Sequence, residues 1–355
     1  PDGDDENLGT SEGEAFLTIG RAIEMIAPED DDPITINLTE GTFAPSTTGE
    51  DFPIIMISNV NLIGQGEEVT ILDAEETGRV ITMEDCDNNI ISDLTITGGL
   101  AEGDYSDNDG GGMYLISSNP ILTHVTIANN TAEYYGGGMW LDYSNPILTH
   151  VTISNNTAEY YGGGMWLDYS DPILTHVTIS NNTADSYGGG MRLSNSNPIL
   201  TNVTIANNTA NNGGGGMYLN YSNPTLIGVT LSDNLADSKG GGIYLYSSSI
   251  SGSYILINNN YSEGHGGGIF ISAGSNINLN KSTIASNMVG EGDTFGAGIY
   301  ADGGTATLTN SIVYYNRREG DYGINYNLNG YTMEIFNEYT VSYSDIEGDE
   351  NWIPE

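Results

Sequence analysis

The sequence predicts an all-β chain wound as a parallel β-helix with about 26 residues per coil, and three observations predict it. The first is a strict period. Pro120, Pro146, Pro172, Pro198 and Pro224 stand 26 apart, as do the glycine triplets ending at Gly112, Gly138, Gly164, Gly190, Gly216, Gly242 and Gly268. A period of roughly 20–50 residues marks units that bury their apolar faces only by stacking on neighbours. The second is alternation inside the unit. Met139 and Leu141 fall on one side with Trp140 and Asp142 on the other, and Val151 and Ile153 oppose Thr152 and Ser154. That is the two-residue period of strands, with no helical spacing. The third is the NNTA corner, which sets Asn130, Asn156, Asn182, Asn208, Asn234 and Asn260 above one another as a hydrogen-bonding ladder.

The elements follow in order. Residues 1–14 form an acidic leader that opens on Pro1 rather than Met, which suggests a mature end left by removal of a signal peptide. Residues 15–32 are expected to form a capping helix, because Phe16, Ile19, Ile23 and Ile26 have helical spacing and Ser11 with Glu14 reads as a capping box. The cap has a purpose, since a bare terminal coil exposes unpaired strand edges. Residues 33–109 read as irregular coils with strands at ITINL, IIMIS, VNLIG, VTILD, VITM and NIISDLTITGG. Residues 110–316 are the regular repeats, and 317–355 carry terminal strands that lead into further chain or form an interface.

Composition narrows the function. Asp and Glu number 48 against 7 Lys and Arg, a net charge of −41, which excludes the basic surface that nucleic acids and anionic membranes require. No apolar run reaches the length of a membrane span. A single cysteine, Cys86, rules out an internal disulfide framework and reads as a buried filler.

The units GGGM, SNPILTHVTI and NNTA resemble the secreted right-handed parallel β-helix repeat proteins of the pectin-lyase-like superfamily, close to bacterial surface proteins that carry an anchoring or sorting domain. They are similar also to polymorphic outer-membrane protein repeats, from which GGGM or GGGI and NNTA depart. The resemblance covers roughly residues 54–316. It implies a right-handed helix and an extracellular or cell-surface location, and VSYSDIEGD at 341–349 resembles a family element that leads into further chain.

Stacked coils turn each outward position into a column about 4.8 Å apart per step. The position after the inward Met or Ile gives Tyr114, Trp140, Trp166, Arg192, Tyr218, Tyr244, Phe270 and Tyr300. It reads either as stacking that stabilises the face or as an exposed stripe that binds sugar or protein, with Arg192 between Trp166 and Tyr218. Asp142 lies over Asp168, and Asp104, Asp107 and Asp109 crowd one glycine-rich loop; such hard oxygens suit Ca²⁺. His124, His150 and His176 form a further column, read as a structural corner because Asn202 follows.

Enzymes of the resembled superfamily use Asp groups or a Ca²⁺ with a nearby Arg, and acid–base chemistry needs partners whose environments differ. Asp142 and Asp168 sit in near-identical coils, and seven coils pass without an insertion. The expectation is therefore a non-catalytic structural or adhesive solenoid, assembling end to end into homopolymeric fibres through calcium-bridged acidic columns and meeting glycans or cell-surface components. The alternative is a carbohydrate-binding or polysaccharide lyase- or hydrolase-like module that uses the Trp140, Trp166 and Arg192 face.

Overall fold

The computed structural model describes residues 3–29, 32–103, 107–291 and 294–320, together with the backbone of strands Leu328–Gly330, Tyr339–Ser342 and Asp345–Ile346. Three parallel sheets run along one axis, with 21, 11 and 9 strands. The 11-stranded sheet takes one strand from each coil, so the helix makes about eleven turns. Equivalent residues pair in register, Met139 with Met165 and Trp140 with Trp166. The six strands expected before residue 109 form at Ile34–Asn37, Ile54–Ile55, Val60–Ile63, Thr70–Asp73, Ile81–Glu84 and Ile90–Thr97.

The interior is a single apolar column. Met139, Leu141, Leu148 and Ile153 are fully buried, and their counterparts repeat this in the coils above and below. Two polar ladders run beside it. Each buried Asn from 130 to 260 donates its Nδ2 to Oδ1 of the next at 2.9–3.0 Å, and the ladder continues through Asn287 to Asn316. In the SNP corner, the backbone N–H of each serine from Ser118 to Ser248 donates to the hydroxyl of the next, ending at Ser275. Both satisfy backbone groups that a sharp corner takes out of the sheets.

The histidine column has a conformational cause. His124, His150, His176, Asn202, Gly228, Tyr254, Lys281 and Asn310 all have φ between 50° and 64°. What these residues share is a left-handed corner, where Asn and Gly are the least strained. The imidazoles stack with centroids 5.2 and 5.0 Å apart and nearly parallel planes, so their nitrogens lie side by side and do not converge on a point.

The N-terminal cap is smaller than expected. Among the described residues of the cap only Ile19–Glu24 is α-helical, after a 3₁₀ turn at Glu12–Glu14, and Ser11 makes no capping bond. Thr18 caps the helix by accepting from the Arg21 N–H. The cause lies in two acidic side chains. Asp5 accepts from the backbone N–H groups of Leu17 and Thr18, which keeps the chain extended up to Thr18. Glu50 then accepts from Ile19 and Gly20 and starts the helix there. Pro28 stands soon after its end, where no helix continues.

Candidate functional site

The outward residues of the 11-stranded sheet stack in register as Tyr114, Trp140, Trp166, Arg192, Tyr218, Tyr244, Phe270 and Tyr300. The column is not an open stripe. Tyr114, Phe270 and Tyr300 are buried, and the members between them are half-buried. A second row covers them, formed by the residues that precede the glycine triplets: Tyr135, Tyr161, Tyr187, Gly213, Lys239 and His265, bridged one to the next.

The glycines let this row lie flat. A Cβ on Gly137 would stand 2.3 Å from the Thr157 carbonyl oxygen and 2.6 Å from that of Gly163, so no side chain fits between turn and strand. The two rows then interlock. Tyr135 meets Trp166 edge-on at 3.8 Å, Tyr187 packs on Tyr218 at 4.5 Å, and His265 stacks on Tyr300 at 4.5 Å. Arg192 lies 4.2 Å over Tyr161 and further from Trp166 and Tyr218, at 5.2 and 5.7 Å. Its nearest cation–π partner thus comes from the covering row. Beyond the column, Tyr143 and Tyr169 stand exposed and stacked at 5.1 Å, directly after Asp142 and Asp168.

Four buried polar atoms on three successive coils of this flank have no hydrogen-bond partner: Trp140 Nε1, Trp166 Nε1, Asp168 Oδ1 and Arg192 Nε. An unsatisfied buried group costs about 1–3 kcal/mol. Three donors and one acceptor therefore gain from any ligand or side-chain movement that supplies hydroxyls. Burial pushes the Asp142 carboxyl above the usual carboxylate range, and the neighbouring charge of Asp168 raises it further. Burial also lowers the Arg192 guanidinium from its ordinary value, opposed by Tyr161, Tyr218 and Asp168.

At the head of the flank the repeat changes. Arg79 occupies the register of Gly111, and Asp109 the register of Tyr135. The guanidinium of Arg79 lies 4.1 Å over the Tyr114 ring, which in turn stacks on Trp140 at 4.5 Å. Asp109, 8% exposed, accepts from the Tyr135 N–H at 3.0 Å. Its pKa is pushed up to about 7 by burial, against the Tyr135 N–H and the charge of Arg79. Arg79 was not marked by the sequence reasoning, although aligning TGRVITM with DGGGMYL places the only cation of the column's head against a glycine.

Of the residues considered for calcium, Asp104 lies outside the described residues, Asp107 is exposed and Asp109 is turned in toward Arg79. Among the described residues no group of three or more His, Cys, Asp or Glu side chains converges on a metal position.

The Asp109 carboxyl is expected to titrate near neutrality. Its folded-state pKa lies above the unfolded value of 3.8, so the bound proton stabilises the fold, fully below about pH 4, and that contribution is lost as pH rises through about 7. Thermal unfolding of wild type and Asp109→Asn from pH 4 to 8 should show a difference that grows with pH in favour of Asn. Parallel curves would mean that Asp109 titrates as an ordinary carboxylate.

Fold and flank define a β-helix with one aromatic, polar-lined side. The chain belongs to the right handed beta helix region family, whose model matches residues 55–234 and 150–313. No curated protein matches it. Solved structures similar to it include the catalytic domain of a GH87 alpha-1,3-glucanase in complex with tetrasaccharides, at 14% identity and a TM-score of 0.46, covering 94% of this chain and 67% of that one. The Azotobacter vinelandii mannuronan C-5 epimerase AlgE4 A-module is 14% identical with a TM-score of 0.46, covering 90% and 91%. A mannuronic acid specific polysaccharide family 6 lyase from human gut microbiota is 8% identical with a TM-score of 0.42, covering 87% and 81%. At these identities the likeness shows the fold alone.

The three solved structures named are carbohydrate-active enzymes, and the expectations of a non-catalytic structural or adhesive solenoid, and of no enzymatic role, are corrected in favour of the carbohydrate-active alternative. The coil before the regular repeats is longer, with 31 positions between Gly99 and its partner Asn130 against 26 in the next coils. Among the described residues no helix is long and apolar enough to cross a membrane.

Proposed function

We propose that the flank built on Trp140, Trp166, Asp168 and Arg192 is the glycan-binding surface of a carbohydrate-active β-helix. The observation that carries this reading is the set of four unpartnered buried polar atoms within an aromatic column. Sugars present apolar C–H faces that lie on aromatic rings and hydroxyls that both donate and accept. Trp and Arg N–H groups and a carboxylate oxygen are the matching partners, and the exposed Tyr143 and Tyr169 extend the platform outward. Polymeric glycans are met outside the cell, so the proposal includes an extracellular or cell-surface location.

Trp166→Ala removes the ring that touches both rows and is expected to weaken glycan retention at least tenfold, about 1.4 kcal/mol, in affinity electrophoresis. Far-UV circular dichroism should stay unchanged, because Trp166 points away from the apolar interior. Equal retention by wild type and Trp166→Ala on every polymer that binds would place glycan recognition elsewhere or remove it.

A further inference from the structure

We infer that the glycan taken by this flank is uncharged, and that polyuronates are rejected. The inference rests on the glycan-binding reading above and names its substrate class. An acidic sugar is recognised by cations that offer a free bidentate edge to its carboxylate. The flank holds two guanidiniums and the ammonium of Lys239, and each of the three is laid against an aromatic ring, the two guanidiniums with carboxylates beside them. Arg79 is buried, lies over the Tyr114 ring and carries the charges of Asp107, Asp109 and Glu84 around it. Arg192 is laid on Tyr161 and feels Asp168.

What the flank turns toward a ligand is negative. Asp142 and Asp168 pair in register, at the adjoining coils that carry Trp140 and Trp166, and no lysine or arginine occupies their column, which runs Ile116, Asp142, Asp168, Ser194, Asn220. The next exposed residues outward are the neutral Tyr143 and Tyr169. The chain as a whole carries −41, so an anionic polymer is repelled at long range as well as at contact. A neutral sugar meets none of this. Its hydroxyls donate to Asp142 and to the unpartnered Asp168 Oδ1, while its oxygens accept from Trp140, Trp166 and Arg192. A uronate carboxylate has no proton to give to Asp168 at neutral pH.

The test compares wild type on neutral polymers (an α-glucan, a β-glucan, a mannan and a xylan) and on polyuronates (alginate and polygalacturonate), by affinity electrophoresis in chelator and again in millimolar calcium. Retention by at least one neutral polymer, with polyuronates at least tenfold weaker in both conditions, is expected. The double variant Asp142→Asn with Asp168→Asn should narrow that gap by raising polyuronate retention. Polyuronate retained as tightly as any neutral polymer, with or without calcium, overturns the inference and leaves the glycan-binding reading standing. Retention of no polymer of either kind overturns the glycan-binding reading itself.

Discussion

Gly163→Ala is expected to cost about 3 kcal/mol or more and to lower the urea midpoint of the whole stack. An ideal Cβ at Gly163 would lie 2.3 Å from the carbonyl oxygen of Thr183 and 2.6 Å from that of Gly189. Both are backbone atoms of the adjoining coil, fixed by parallel pairing at about 4.8 Å, so neither yields without spreading two coils apart. The backbone at Gly163 is not in the left-handed region, so the penalty is one of space and not of conformation. Gly49 is the matched control. It has φ 74° and nothing within 4 Å of its Cβ position, so alanine there should cost only the roughly 1–2 kcal/mol of a left-handed residue. Similar midpoints for the two variants would show that the coils separate easily and that the triplet glycines are not required by packing.

Asn182→Ala should lose about 4 kcal/mol, while Asn181→Ala, one residue away, should lose about 1–2 kcal/mol. Asn182 is fully buried. Its Oδ1 accepts from the backbone N–H of Asn156 at 2.9 Å and from Asn156 Nδ2 at 3.0 Å, and its Nδ2 donates to the Ile153 carbonyl and to Asn208 Oδ1, both at 3.0 Å. Alanine removes the acceptor of the Asn156 backbone N–H and one hydrogen bond each from Asn156 Nδ2, the Ile153 carbonyl and Asn208 Oδ1, of which Asn156 Nδ2 keeps the Ile127 carbonyl and Asn208 Oδ1 keeps the backbone N–H of residue 182, in a site closed to water, at roughly 1–3 kcal/mol for each group that stays unpaired. Asn181 is exposed and serves its corner through φ 56°, which alanine tolerates at modest cost. Asn182→Asp should be nearly as damaging as alanine, because a carboxylate accepts but cannot donate to Ile153. Urea midpoints of the three variants check the order; equal losses at 181 and 182 would mean that the corner conformation, not the ladder, is what the Asn pair supplies.

Much of this molecule was legible because a parallel stack converts sequence period into vertical alignment. The inward Met and Leu, the Asn ladder to Asn260 and the register of Trp140 on Trp166 follow from counting 26 residues. Where the count slips the reading stops. Asn287 and Asn316 extend the ladder at spacings of 27 and 29, and the head of the aromatic column lies across a coil lengthened to 31. The helix over 15–32 was overestimated because its periodicity was visible while the competing Asp5 and Glu50 side chains, one before and one well after it in sequence, were not connected to it.

The sequence by itself determined the all-β solenoid, its repeat length, its apolar interior and the columns on its outer faces, because each of these depends only on residues one coil apart. The tertiary structure alone decided what lies beside a column. It laid Tyr135 and Tyr161 over Trp166 and Arg192, set Arg79 on Tyr114 near a buried Asp109, and left four polar atoms on the three coils of Trp140, Trp166 and Arg192 without partners. Lateral contacts of this kind depend on how tightly each glycine turn folds back on its strand, and no count of residues along the chain contains that distance.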